Sequence, residues 1–137
     1  MLDEYQLKVV KHGIKLSRHG RASGGILVFV KKYVSEYFRY IDDFDCGVIL
    51  QVHNNIFDVP VLYVVCYIPP SGSSFYNQLH FNCNVNGIAL LDDKICQLKI
   101  EYPNYDLILS GDFNARTKNL QDDSTYYLPD FYPEVPY

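Results

Sequence analysis

Short apolar runs separated by polar turns are the main pattern along this chain, and they predict strands. Residues 24–30 form a continuous apolar run after a glycine pair and before lysines, which predicts a strand buried on both faces. Further strands are expected over 48–53 and 61–67, joined by a polar insert into an antiparallel pair. The prolines at 69 and 70 should end the third strand, because neither can donate to a ladder.

The spacing becomes that of a helix between residues 86 and 101. Apolar side chains recur there at helical intervals, at Ile88, Leu91, Ile95 and Leu98. Pro103 should stop this helix, and a strand over 105–110 then leads into Gly111-Asp112-Phe113-Asn114. The strand, helix, strand order predicts a layered α/β (α+β) fold with polar groups at the strand ends.

The last part of the chain shows neither the pattern of a strand nor that of a helix. Residues 119–137 carry prolines, aspartates and tyrosines without a regular pattern, so we expect an irregular C-terminal tail after a domain over residues 1–118.

Composition supports one sheet-rich domain without a general attraction for polyanions. The chain has 137 residues, 48% of them hydrophobic, with 13 Tyr and 8 Phe, which suits a sheet with a real core. The formal charge of −4 means that any nucleic-acid contact must be local. A basic stretch could meet phosphates, although a solvated surface is the interpretation we favour for it. This stretch comprises Lys8, Lys11, Lys15, Arg18, Arg21, Lys31 and Lys32.

The cysteines and the apolar runs indicate in which cellular compartment the protein is expected. Cys46, Cys66, Cys83 and Cys96 include no C-x-x-C pair, so buried free thiols are expected rather than a zinc or redox site. No signal-like start and no membrane-length apolar run occurs, so we expect an intracellular protein without a membrane partner. The nucleus and the cytoplasm are not distinguished.

Three segments resemble one family. The segment 111–116, Gly-Asp-Phe-Asn-Ala-Arg, is similar to the G-D-F-N segment of Mg²⁺-dependent endonuclease/exonuclease/phosphatase domains. Residues 20–26 resemble the glycine-pair strand start of the non-LTR retrotransposon members, and Cys66-Tyr67-Ile68-Pro69-Pro70 resembles their tyrosine-bearing strand end. The resemblance spans about residues 2–118 and implies two packed sheets flanked by helices, a Mg²⁺ cofactor, DNA as substrate, and a reverse transcriptase in the parent polyprotein.

The chemistry of phosphodiester hydrolysis suits these residues. It needs an oriented water and donors toward the phosphoryl oxygens. Asp112 could orient the water, and Asn114, two positions later, could donate to an oxygen. By the resemblance, Asp112 and Asn114 match water-activating and transition-state-stabilising positions and Tyr67 matches a phosphate-contacting tyrosine, while Arg116 could also touch phosphate.

Each of these residues also has a purely structural interpretation. Asp112 could close a turn after its strand by accepting from nearby amides. Tyr67 could be one packing tyrosine among 13. Gly24-Gly25 is expected to be structural under either interpretation.

Parts of the family pattern are not found in this sequence. The glutamate metal ligand of a Q-E-T-like motif is absent, and Glu4 sits where the pattern expects a loop, so the metal ligands stay unknown. None of the four histidines follows Asp112, so the closing S-D-H-like histidine is absent as well. We therefore expect a domain truncated at both ends, poorly soluble, and inactive alone, because catalytic groups that act together fail together.

Three functions follow from these observations. The first is part of a Mg²⁺-dependent DNA endonuclease of the retrotransposon type. The second is a non-catalytic gene fragment or nucleic-acid-binding module. The third, a phosphatase of the same fold, is less favoured, because the Gly-Asp-Phe-Asn-Ala-Arg and Tyr-Ile-Pro-Pro segments point to the retrotransposon branch.

Overall fold

The computed structural model describes residues 2–15, 18–78 and 86–114, and it has the mixed α/β content expected from the sequence. Single turns of 3-10 helix lie at Leu2–Glu4 and Tyr76–Gln78, and a longer one lies at Lys32–Tyr37. The strands and α-helices are, in chain order, β1 (Tyr5–Lys11), β2 (Ile14–Lys15), β3 (Ala22–Ser23), β4 (Ile26–Lys31), β5 (Phe38–Phe44), β6 (Gly47–Val52), α1 (Asn54–Phe57), β7 (Val61–Tyr67), α2 (Gly87–Glu101) and β8 (Asp106–Asp112).

The central element is a four-stranded sheet in the order β5-β6-β7-β8. The pairs β5–β6 and β6–β7 are antiparallel, which confirms the predicted pairing of the second and third apolar runs. The strands β7 and β8 pair in parallel, with α2 in the connection between them. Parallel neighbours need such a crossover, because a tight turn can only join antiparallel strands.

Both faces of this sheet are covered. On one face, Ile49 and Leu62 are fully buried in a cluster that includes Leu91 and Leu98 of α2. On the other face, Val48 and Leu50 of β6 meet side chains from the two-stranded sheet β1–β4. The adjacent β6 residues therefore serve opposite faces, as the two-residue period of a strand requires.

The strand β4 departs from expectation, since it was predicted to be buried on both faces. Ile26 and Val30 are buried, but Leu27 is 60% exposed and Phe29 is 44% exposed. The reason is that β4 pairs with β1 alone, and one face of that two-stranded sheet stays open among the described residues. An apolar run by itself does not reveal whether a second layer covers it.

The helix α2 confirms the predicted helix and its end before Pro103. Asn86 caps its start by accepting from the Ala89 main-chain N–H at 2.8 Å. The expected inward face is wrong at Ile88, which is 52% exposed. Instead Lys94 is buried and pairs with Asp42 of β5. Within the described ranges, none of the helices has the length and apolar character needed to cross a membrane.

Four strands were not foreseen: the two-residue β2 and β3, and the longer β1 and β5. The strand β1 carries Lys8 and Lys11, and β5 carries Arg39, Asp42 and Asp43. These charged residues interrupt the apolar pattern, and a register shift in each strand, between Leu7 and Val9 and between Tyr40 and Asp42, breaks the two-residue alternation.

Candidate functional site

The carboxyl ends of β7 and β8 bring two of the predicted residues together. In the parallel register, Tyr67 is the Cα partner of Asp112. Directly paired residues of neighbouring strands project to the same face of the sheet, so these two side chains start from adjacent points on one face.

Hydrogen bonds beyond the ladder fix Asn114 beside this pair. The Ile68 main-chain N–H donates to the Asp112 carbonyl at 2.8 Å, which extends the β7–β8 pairing by one residue. The Asn114 side-chain amide donates to the Ile68 carbonyl at 2.9 Å, and the Asn114 main-chain N–H donates to Oδ1 of Asp112 at 3.0 Å. Asn114 has a φ of 44°, a left-handed conformation that asparagine tolerates better than most residues. The structure therefore brings Tyr67, Asp112 and Asn114 together at the carboxyl ends of β7 and β8.

Gly111 makes this close pairing possible, and the sequence reasoning missed its role. Its φ is 138°, and a Cβ placed on it would lie 1.9 Å from the Cys66 carbonyl oxygen. No other residue fits that approach without moving β8 away from β7. A glycine directly before an aspartate at a strand end was the available signal, but it indicated only a turn.

The three side chains differ in what they offer to a ligand. Asp112 is exposed, and the Asn114 N–H bonds one of its carboxylate oxygens, so among the described residues the other oxygen has no hydrogen-bond donor. Asn114 is exposed and has used one side-chain amide proton on Ile68, so the second remains for a ligand. Tyr67 is half-buried and packs against the core cluster that contains Val48 and Leu50. Its ring thus has the packing role that was one of its two interpretations.

A cleft of about 450 Å³ opens next to Asn114. Asn114 lines it, whereas Tyr67 and Asp112 do not, so the pair lies beside the cleft rather than in it. The other lining residues come from the end of β7, the start of α2 and the residue before Asn114: Ile68, Pro69, Pro70, Ser71, Tyr76, Asn86, Gly87, Ile88 and Phe113.

The wall of this cleft is tightly built around Gly87. A Cβ on Gly87 would lie 2.6 Å from Cγ2 of Ile68 and 2.7 Å from the Tyr76 hydroxyl, so the first turn of α2 sits directly on these two side chains. The Tyr76 hydroxyl donates to the Pro69 carbonyl at 2.6 Å, and burial raises the pKa of Tyr76. Sequence patterns gave no signal for Tyr76, one of 13 tyrosines.

The remaining predicted contacts have different outcomes. Arg116 lies outside the described residues. Lys11 of the basic stretch lies 3.8 Å from Asp43 (Nζ to Oδ1), on β1 rather than at the ends of β7 and β8. An intramolecular carboxylate is therefore its partner here.

The cysteine prediction holds for two residues and fails for one. Cys46 and Cys66 are buried free thiols, and burial raises the pKa of each to about 11. Cys96 is exposed, because it lies on the solvent side of α2. Cys83 lies outside the described residues.

The described residues supply one carboxylate toward a metal site at the ends of β7 and β8. Asp112 is the carboxylate at the strand ends, and the described ranges contain no group of three or more His, Cys, Asp or Glu side chains that could hold an ion. Mg²⁺ usually takes one or two carboxylates together with waters and substrate phosphates. Asp112 supplies one such carboxylate, and Mg²⁺ stays an expectation of the resemblance.

Comparisons of the chain with protein-family models, with curated proteins and with solved structures gave no match.

Proposed function

We propose that Tyr67, Asp112 and Asn114 are the phosphate-contacting part of a phosphodiester-hydrolysing site of the endonuclease/exonuclease/phosphatase type. The observation that carries the proposal is the parallel register in which Tyr67 pairs with Asp112. Two segments that resemble one family lie 46 residues apart at Ile68 and Asn114, and they meet through a hydrogen bond at 2.9 Å.

The chemistry follows from what each group can still bond. The free carboxylate oxygen of Asp112 accepts a hydrogen bond from a water and orients it toward phosphorus. The second amide proton of Asn114 and the hydroxyl of Tyr67 donate to phosphoryl oxygens, whose charge grows as the water attacks. Because Asn114 is held by its main-chain N–H and by one proton of its side-chain amide, its remaining donor is preorganised.

DNA is the proposed substrate, and a reverse transcriptase of the same polyprotein the proposed partner. Both rest on the resemblance of residues 20–26 and 111–116 to the retrotransposon branch. The missing glutamate and histidine partners lead us to expect no turnover from this chain alone.

Binding of a phosphodiester tests the proposal without requiring turnover. A short fluorescein-labelled DNA duplex is titrated with the full chain at two salt concentrations, and anisotropy is measured. We expect salt-sensitive binding that Asn114→Ala weakens about ten-fold, since a donor to a charged group is lost. Asp112→Asn should tighten binding, because it removes a negative charge beside the phosphate.

Matched variants separate the site from general surface effects. Tyr67→Phe removes the hydroxyl proposed to meet phosphate, whereas Tyr63→Phe removes one from the same face of β7, away from its carboxyl end. Asp106→Asn removes a carboxylate at the other end of β8. Equal effects of Tyr67→Phe and Tyr63→Phe, or of Asp112→Asn and Asp106→Asn, would overturn the proposal.

A non-catalytic role is the second candidate, and one contact favours it. The carboxylate of Asp112 already accepts the Asn114 main-chain N–H, as in a turn with no chemistry. Nicking of supercoiled plasmid, with and without Mg²⁺ and with Asp112→Ala as control, distinguishes the two. Metal-dependent nicking lost in Asp112→Ala would exclude the non-catalytic role and our expectation of an inert chain.

A further inference from the structure

A second polar cleft lies at the opposite end of the four-stranded sheet. It forms where β5, β7 and β8 begin and β6 ends, whereas Tyr67 and Asp112 lie where β7 and β8 end. Its volume is about 430 Å³. The lining residues are Glu36, Tyr37, Arg39, Gln51, Val52, His53, Asn54, Pro60 and Tyr105.

A chain of hydrogen bonds crosses this cleft, and its direction is fixed by chemistry. Arg39 can only donate, so the Gln51 atom that it meets at 2.7 Å is the carbonyl oxygen. The Gln51 amide nitrogen therefore faces Tyr105 and donates to its hydroxyl at 2.6 Å. The Tyr105 hydroxyl accepts in this bond, which leaves its own proton for another acceptor.

His53 adds a third donor. Its Nδ1 accepts the Asn55 main-chain N–H at 3.2 Å, so the proton of the neutral ring is on Nε2. Arg39 has further N–H groups, and no carboxylate within the described ranges forms a salt bridge with it. Arg39, His53 and Tyr105 thus offer donors and one fixed positive charge in the same cleft.

Flat rings line the same space. The rings of Tyr37 and His53 have centroids 5.9 Å apart and are tilted by 41°. The rings of Tyr105 and Tyr102 pack edge to face, with their centroids 5.3 Å apart. Pro60, the residue before β7, also lines the cleft. Aromatic faces of this kind accept a planar ring of a ligand by stacking.

We propose that this cleft binds a nucleotide, with its phosphate on Arg39 and Tyr105 and its base against Tyr37 and His53. A phosphate group supplies only acceptor oxygens, which matches a site whose oriented groups are donors. Glu36 is the carboxylate among the lining residues, and its negative charge repels an anion in the cleft. The site is separate from the proposed hydrolytic one, because it lies at the other end of the strands.

Calorimetric titration of the full chain tests the proposal with three probes: adenosine monophosphate, inorganic phosphate and adenosine. We expect adenosine monophosphate to bind about ten-fold or more tightly than either of the others, since only it uses both the donors and the rings. Inorganic phosphate binding equally well would overturn the assignment of the base. Adenosine binding equally well would overturn the assignment of the phosphate, and no binding of the monophosphate would overturn both.

Two variants with opposite expected effects on affinity separate loss of binding from loss of folding. Arg39→Gln should weaken binding of adenosine monophosphate about ten-fold or more. Glu36→Gln should tighten it roughly two- to five-fold, an outcome that damage to the fold does not produce. A Glu36→Gln variant that binds no more tightly would contradict the proposal.

Hydroxyl variants supply the matched control. Tyr105→Phe removes the donor in the cleft and should weaken binding about three-fold or more. Tyr40→Phe removes a hydroxyl that donates to Asp43 at 2.6 Å on the same strand as Arg39, outside the cleft. Equal losses in both variants, or no loss in Tyr105→Phe, would overturn the role of Tyr105.

Discussion

The four-stranded sheet and the two-stranded sheet β1–β4 both contain apolar runs, but they differ in how completely those runs are buried. Every residue of β6 except Gln51 is buried, whereas in β4 only Ile26 and Val30 are. The strand β6 has neighbours on both edges and a layer on both faces, while β4 has one neighbour. Burial here is therefore set by the surroundings of a strand and not by its own hydrophobicity.

The largest test of this comparison is a matched pair of Leu→Ala variants. Leu62 in β7 is fully buried, and Leu27 in β4 is 60% exposed. We expect Leu62→Ala to lower the free energy of unfolding by about 2–5 kcal/mol and Leu27→Ala by about 0.5 kcal/mol or less. Urea denaturation followed by circular dichroism measures both, and similar losses would show that β4 is covered in solution.

A second test concerns the strand end that supports the candidate site. Gly111→Ala should cost about 2–3 kcal/mol, because the added Cβ meets the Cys66 carbonyl. Gly72→Ala is its control: Gly72 also has a positive φ, 79°, but has open space around its Cβ, so about 1 kcal/mol is expected. Equal costs in the same denaturation experiment would mean that β7 and β8 pair less closely than described.

A third test concerns the ion pair between Lys94 of α2 and Asp42 of β5, which joins the helix to the four-stranded sheet. Asp42→Asn should cost about 1–2 kcal/mol, because it leaves the buried Lys94 ammonium without its carboxylate. Lys94→Met should be closer to neutral, since it removes the buried charge together with its cost of desolvation. Thermal melting of both variants measures the difference, and a larger loss for Lys94→Met would contradict this account.

The same pair predicts a dependence on pH. The hydrogen bond from Lys94 holds the pKa of Asp42 below its ordinary value of 3.8. A carboxyl whose pKa is lower in the folded state stabilises it above pH 3.8, and that contribution is lost as the pH falls through the folded value. The stability difference between the natural chain and Asp42→Asn should therefore shrink below pH 3.8, and a constant difference would contradict the assignment.

The smallest effect on stability is expected at the open face of β4. Phe29→Thr should change the free energy of unfolding by about 0.5 kcal/mol or less but should reduce self-association, because Phe29 is 44% exposed opposite Leu7 of β1. Phe57→Thr, at a side chain that is 41% exposed on α1, is the control. Light scattering at increasing protein concentration compares the self-association of the two variants. Equal scattering would show that the open face of β4 does not cause self-association.

The sequence predicted the elements whose pattern is clean. The strands β6, β7 and β8 and the helix α2 were located within one or two residues, because continuous apolar runs and a helical period mark them. The strands β1 and β5 were missed, since charged residues and a register shift interrupt the alternation of each. Burial of β4 was wrong because coverage depends on residues far away in sequence.

The site was predictable in part for the same reason. Asp112 and Asn114 follow an apolar strand, so their location at a strand end could be read directly from the sequence. Their proximity to Tyr67 needed the parallel pairing, which no local pattern encodes. The close approach of Gly111 to Cys66 and the cleft around Arg39 depend on register and on side chains from several strands, so they emerge only in three dimensions.

The crossover between β7 and β8 has a kinetic consequence. The antiparallel strands β5, β6 and β7 follow one another along the chain, whereas the segment containing α2 separates β8 from its partner β7. Contacts across such a loop form late, because its closure entropy precedes any gain from pairing. We therefore expect Tyr67 and Asp112 to become neighbours late in folding, and a chain in which β8 has not yet paired lacks the hydrogen bonds around Asn114.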